Sequence, residues 1–387
     1  MNKIYLRYLF ICSSIFIFSS CTTLGNLKFW GDEEEIIELP AELISIENKL
    51  QIKTLWKKNM GSKPGYGTHK PVLTSDTIYY ATSEGSIYAL SSKGKEIWSK
   101  KTEDYISGAL AAGFKVLLYG TLDGELVALD ENKGSELWRK QLSSEILSLP
   151  VTDGSIAVVQ TADGKVTALD LRNGEEDWVY LSKVPKLSLR GTSTPILSNG
   201  AVFASFANGK SAMISSSSGS VRWELPITLN EGKSELERIV DIDGKAIVDG
   251  RVFVAATYQG NITAIDLTSG RALWQEKFST TKDLIKSRSR VIGINQKDIV
   301  EGFGLSTGVT VWRQEGLKLR QLTSPVNIKG KVVVGDFEGY LHVIDSKDGK
   351  FLARSKISNK AINEIVSFSD ELLVSDSSGR LISLSIK

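Results

Sequence analysis

Cys21 is the residue of this 387-residue chain whose position most directly implies chemistry. It follows Lys3 and Arg7, an apolar run from Tyr8 to Phe18, and the small pair Ser19-Ser20. A short apolar run ending in small residues before a cysteine fits a secretory signal over residues 1–20, cut so that the thiol of Cys21 becomes an acylated first residue. Phe18 stands where leucine is usual, and the rival Cys12 is preceded by bulky Ile11. After cleavage Cys21 is the only cysteine, so an exported chain has no intramolecular disulfide to form. Thr22 rather than an aspartate follows it, which favours outer-membrane over inner-membrane sorting. Residues 21–50, with the acidic run Asp32-Glu33-Glu34-Glu35, read as a lipid-anchored flexible linker, and residues 51–387 as the folded domain.

The remaining reactive side chains do not assemble into a catalytic pattern. The two histidines, His69 and His342, are far apart and lack metal-ligand spacing. No Gly-x-Ser-x-Gly elbow occurs, and Gly61-Ser-Lys-Pro-Gly65-Tyr-Gly67 lacks the strand and helix of a phosphate loop. The formal charge of +2 gives no bias towards nucleic acid, and Lys286, Arg288 and Arg290 fall where a turn is needed. No catalytic residue, cofactor or metal is expected.

What the chain does contain is a ladder. Seven of its eight tryptophans, Trp56, Trp98, Trp138, Trp178, Trp223, Trp274 and Trp312, are separated by 42, 40, 40, 45, 51 and 38 residues. A period near forty signals a repeat architecture. The frame Gly-x-apolar-x-Ala-apolar-Asp, a glycine turn, then apolar-Trp recurs, as in Gly124 to Asp130, Gly134 and Trp138. Period-two alternation divides one unit into four strands: Lys70–Leu73, Thr77–Ala81, Ser86–Leu90 and Glu96–Lys100. Four antiparallel strands per forty residues make a β-propeller blade, here called strands A to D. The tryptophan on strand D is then a structural plug against the next blade, burying roughly 150–250 Å².

Strand C copies centre on Ala89, Ala128, Ala168, Met213, Ala264, Gly302, Val343 and Ser383, and strand D copies on the seven tryptophans and Ala353. The ends are out of phase, since Trp56 has a D strand without A to C and Ser383 a C strand without D. Pairing Lys53–Lys57 with the C-terminal blade removes two exposed edges. The expected fold is all-β, an eight-bladed propeller whose ring is closed by its two termini.

Where the period stretches, loops lengthen. Two adjacent D-to-A connections are long: 17 residues from Trp178 to Pro195, and about 23 from Trp223 to Ala246. They should be neighbours on one face. The first holds Leu187-Ser188-Leu189-Arg190-Gly191, with both leucines on one side of an extended chain and an arginine beside them. The second runs Glu235 to Gly244, whose acids could face a basic partner or tie down Arg190. Packing between blades and turn capping would explain these residues equally well.

These segments carry a resemblance to a family. Leu187–Gly191 resembles the Leu-Ser-Leu-Arg-Gly segment of the BamB family, propeller lipoproteins of the outer-membrane β-barrel assembly machinery. Glu235–Asp243 resembles its acidic segment, with Glu237 in place of an aspartate. Leu-Thr-Ser-Pro (322–325) and Val334 to His342 also match. The resemblance covers nearly the whole chain. It implies a non-enzymatic scaffold, monomeric within its complex, anchored through Cys21 and facing the periplasm. It implies binding to the POTRA region of BamA through Leu187, Leu189, Arg190, Asp241 and Asp243, beside other Bam subunits and with unfolded outer-membrane proteins as possible clients. Two other readings use the same fold: a quinoprotein (PQQ) dehydrogenase, for which calcium ligands and a disulfide are wanting, and a surface carbohydrate-binding propeller, which needs aromatic side chains in exposed loops.

Overall fold

The computed structural model describes residues 38–61 and 69–387, apart from residues 75, 109, 230 and 231. Among the described residues the strands form eight four-stranded antiparallel sheets, seven of them from four consecutive strands. In blade one these are Val72–Leu73, Thr77–Ala81, Ser86–Ser91 and Glu96–Lys101, within a residue or two of the expected bounds. Blade eight is composite. Ile362–Phe368, Glu371–Asp376 and Arg380–Ile386 are completed by Ile52–Asn59, which pairs antiparallel with the last of them. The ring therefore closes as its out-of-phase ends require.

The repeat register is exact to the residue. Ala89, Ala128, Ala168, Met213, Ala264, Gly302 and Ser383 each lie opposite a ladder tryptophan, and Val343 lies opposite Ala353. A bulge next to each of these pairs drops one outer-strand residue out of register. The residue before the tryptophan sits there and turns outward even where it is apolar: Ile97 is 56% and Leu137 50% exposed. The extra residue of the bulge breaks the period-two alternation locally, which leaves Ile97 facing outward within its strand.

Hydrophobic cores lie between neighbouring blades. One joins Val116, Leu118, Leu126 and Trp138 of blade two to Ala157, Val159 and Leu169 of blade three. The tryptophan docks as expected, and its indole N–H reaches a carbonyl of the next blade: Trp138 to Leu171 at 2.9 Å, Trp178 to Ser216 at 2.8 Å and Trp312 to Ser346 at 3.0 Å. The turn glycine of the repeat makes the seat. Gly174 has φ of 73°, and a Cβ there would lie 2.6 Å from the Trp138 ring, so conformation and space both demand glycine.

Trp223 departs from this pattern. Its indole nitrogen is buried without a hydrogen-bond partner among the described residues, and its ring packs on Phe203 and Phe253, with centroids 6.3 and 5.8 Å away. Met213 stands opposite it, where the other ladder tryptophans face alanine, glycine or serine, and belongs to the same hydrophobic cluster as Phe203, Phe253 and the Trp223 ring.

Candidate functional site

Two loops stand over blade four. The first leaves the strand Glu176–Leu181 and returns at Ile196; the second leaves Val221–Pro226 and returns at Ile247. Side chains of blade four tie them down. Asn208 Nδ2 donates to Ser182 Oγ at 3.0 Å and to the Lys183 carbonyl at 2.9 Å, while the Ile242 amide donates to the Phe206 carbonyl at 3.4 Å. The loops also meet each other. Ser193 Oγ donates to the Gly244 carbonyl at 3.0 Å, and a Cβ on Gly191 would lie 2.3 Å from the Asp243 carboxylate. Gly191 is thus required by a close approach, and the expected adjacency of the two loops is present.

The five candidate residues do not share one environment. Leu187 is 42% exposed and Leu189 is half-buried, because the chain bends at Lys186–Leu187 instead of running extended. Arg190 is exposed and pairs with Glu145, of the loop between blades two and three, at 3.4 Å. Asp241 is fully buried, and Asp243 half-buried. Neither oxygen of Asp241 meets a donor in full hydrogen-bond geometry. Burial, then the neighbouring Asp243 carboxylate, pushes its pKa up to about 7, with the Leu189 amide partly offsetting them. Burial alone pushes Asp243 up to about 6. These two acids lie beneath the first loop, under Leu189 and Gly191, so they do not form the open acidic face that their alternation suggested.

The outward acids of the second loop have a local job. Glu237 accepts from the amides of Lys233 and Ser234 at 2.7 and 3.2 Å, and Ser234 Oγ accepts from the Glu237 amide at 3.2 Å. This reciprocal pair caps a single helical turn. Sequence reasoning passed over Leu229 and Leu236 on the same loop, both 66% exposed. Leucines in a polar loop were the available signal.

Beside the site, a cavity of about 320 Å³ runs from Arg190, Gly191 and Asp243 to Lys70, Asp283 and Glu364. Lys70 Nζ lies 2.5 Å from Asp283 and 3.9 Å from Glu364, a bridge linking blades one, six and eight. Burial disfavours the Lys70 ammonium, but the two carboxylates outweigh it and raise its pKa to about 12. Glu364, less well compensated, is pushed by burial up to about 7. No local motif announces this triad, whose members lie more than eighty residues apart. Cys21 lies outside the described residues.

A family model described as outer membrane protein assembly factor BamB matches residues 48–116 and 83–314. The protein of that name from Kangiella koreensis is 43% identical, over 88% of this chain and 89% of its own length. That of Escherichia coli K12 is 35% identical, over 94% and 96%. This chain belongs to the BamB family.

Among solved structures, BamB from Moraxella catarrhalis superposes with a TM-score of 0.80 at 26% identity, covering 87% of this chain and all of that one. A europium-containing methanol dehydrogenase reaches a TM-score of 0.70 at 13% identity, covering 86% and 93%, which shows a shared fold and no more. The quinoprotein reading therefore keeps the architecture but gains no site, whereas the BamB likeness extends across the sequence.

The buried aspartates of this BamB-family propeller make a pH prediction. Their folded pKa values lie above the usual value of about 3.9 for an unfolded aspartate. Between about pH 4 and 7 the folded chain holds protons that the unfolded chain has released, so these groups lower stability as pH rises through that window. Asp241→Asn removes the charge. The melting temperature of the variant relative to the parent is expected to rise by several degrees between pH 5 and 8, read by thermal unfolding at each pH. A constant difference would show that Asp241 carries no such penalty. Because Glu364 acts in the same sense in both proteins, the comparison cancels it.

Proposed function

We propose that this chain is a non-enzymatic scaffold of outer-membrane protein assembly that binds the periplasmic POTRA region of BamA with the loops over blade four. It serves as one copy within the Bam complex, held to the periplasmic side of the outer membrane by acyl groups on Cys21. The observation that carries the reading is the convergence of the two long loops, which present Leu187 and Arg190 outward over a buried support of Asp241 and Asp243.

The physics of the surface suits association. Covering the part of Leu187 that is exposed, 42% of it, contributes roughly 1 kcal/mol. The Arg190–Glu145 pair is exposed, with Arg190 at 63%, and such pairs contribute about 0–1 kcal/mol. Exchanging that contact for a carboxylate on a partner costs little, so Arg190 can set orientation while Leu187 supplies burial. Leu189, Asp241 and Asp243 act as supports that hold the loop in one shape, and a preformed loop has less entropy to lose on binding. Held this way, the propeller positions the POTRA chain for delivery of unfolded outer-membrane proteins.

Affinity capture tests the reading. The tagged parent chain should retain a BamA-like barrel protein, and recovery of a soluble redox partner instead would sink the scaffold proposal. Leu187→Ala with Arg190→Ala should weaken capture at least tenfold while shifting thermal unfolding by less than about 2 °C, as suits two exposed side chains. Undiminished capture by this variant would move the interface elsewhere.

A further inference from the structure

The segment Val334–His342 carries Asp336, Glu338 and His342, charged or ionisable side chains that the partner site does not use. They belong to a clamp on blade seven. Asp336, fully buried, accepts from Arg320 Nε at 2.8 Å and lies 3.0 Å from His342 Nε2. Arg354 Nε donates to His342 Nδ1 at 3.0 Å. A guanidinium only donates, so Nδ1 is the acceptor and the ring proton sits on Nε2, facing Asp336. Arg320 also pairs with Glu338, and its guanidinium stacks over Phe337 at 5.0 Å, as Arg354 does over Phe351.

Held at the centre, each arginine turns its Nη1 donor on one segment of the chain's own N-terminal region. Arg320 Nη1 donates to the Ala41 carbonyl at 2.9 Å, and Arg354 Nη1 to the Ile44 carbonyl at 2.6 Å. Asn48 makes a two-way contact with the backbone of Arg354, accepting at 2.8 Å and donating at 3.2 Å. The amides of Ala41 and Lys49 reach the Lys318 and Leu352 carbonyls at 2.9 and 2.8 Å, and Leu43 packs on the core between blades six and seven. The described part of the expected linker is therefore seated on the propeller up to Ala41. The acidic run Asp32 to Glu35 lies outside the described residues; from Ala41 to Lys49 much of the seating is through the backbone, on which composition does not report.

The direction of the segment has a consequence for the anchored end. Leu352 stands near the C-to-D turn of blade seven, whereas Lys318 and Arg320 lie in the loop that joins blade six to blade seven. Going from Lys49 back to Ala41, the chain crosses the outer strand and emerges on the face of the D-to-A loops. Leu187 and Arg190 stand on that same face, three blades away.

We propose that the blade-seven clamp is a docking site for residues 41–49, and that it makes the N-terminal tether leave the propeller on the partner-binding face. The 19 residues between Cys21 and Ala41 let the anchored end reach at most about 70 Å, and release as far as Gln51 would add about 35 Å. Docking thereby sets which face turns to the anchoring surface and how far it can stand off. The shared-face consequence rests on the partner reading above; the docking itself does not.

Pulsed electron–electron spin resonance on the chain from Cys21 onward, where Cys21 is the only cysteine, tests this without lipid or partner. One nitroxide goes on Cys21, the second on either Lys360→Cys, in the D-to-A loop after blade seven, or Lys347→Cys, in the C-to-D turn. The label at residue 21 should be nearer to residue 360 than to residue 347 by on the order of 10 Å, given strands of about 20 Å between the faces. Ala41→Pro with Asn48→Ala removes two seats from the segment at no cost to the blades and should broaden both distributions and abolish the difference. Equal distances in the parent, or an unchanged difference in the double variant, would overturn the proposal. Should the double variant fold poorly, the two parent distances alone decide the exit face. Loss of BamA capture leaves the test untouched.

Discussion

Asp336→Ala is expected to lower the stability of the propeller by about 3–5 kcal/mol, the usual loss when one partner of a buried ion pair is removed. The side chains of Arg320 and Asp336 are 4% and 0% exposed, and His342 is fully buried. Without Asp336 the Arg320 Nε–H and the imidazole N–H both keep their burial and lose their acceptor, while Ala41 and Glu338 hold only the other guanidinium nitrogens. Burial itself disfavours the Asp336 carboxylate, but hydrogen bonds from His342, the Tyr340 amide and Arg320 more than compensate and hold its pKa below the usual range. Its contribution is therefore complete at neutral pH and fades as pH falls below about 4. Urea titration of parent and variant at pH 7 measures the loss. Glu338→Ala removes the half-exposed partner of the same arginine and should lower stability by less than about 1 kcal/mol. Equal effects of the two substitutions would show that burial does not set the strength of this network.

Trp138→Ala should be of similar size, about 3–5 kcal/mol. The ring fills the seam between blades two and three, its indole N–H is the donor to the buried Leu171 carbonyl, and Gly174 leaves nothing that can collapse onto the space. Trp223→Ala should be milder by 1 kcal/mol or more, because that indole makes no hydrogen bond and is only half-buried. Chemical denaturation of the two variants side by side gives the comparison. If they fall together, ring volume alone matters and the interblade hydrogen bond contributes nothing measurable.

The fold was legible because the relevant information is local and repeated eight times. Period-two alternation marks strands, the glycine and aspartate mark turns, and the tryptophan marks the outer strand of every blade but the seventh, where Ala353 takes its place. The register of every C–D pair followed, including Ser383 opposite Trp56 at the closure. Exceptions came where one blade differs in volume, as Met213 does, or where a bulge adds a residue, as beside Ile97.

The site was legible in its location and less so in its arrangement. Lengthened intervals pointed to both loops over blade four. The bend at Lys186–Leu187, which separates the environments of Leu187 and Leu189, depends on contacts such as Asn208 to Lys183 that no local pattern encodes. Asp241 and Asp243 alternate as surface acids do, yet the loop containing Gly191 folds over them.

By itself, then, the sequence determined the number of blades, their register, the closure of the ring and the two loops that break its period. Strand pairing between near neighbours is governed by spacing and side-chain alternation, and both can be read along one chain. Only the tertiary structure decided that the acids beneath the first loop are buried, that Lys70 bridges Asp283 and Glu364, and that Arg354 seats Asn48 from 306 residues away. Those contacts exist because ring closure brings distant segments together, and their strength comes from burial, which has no period to reveal it.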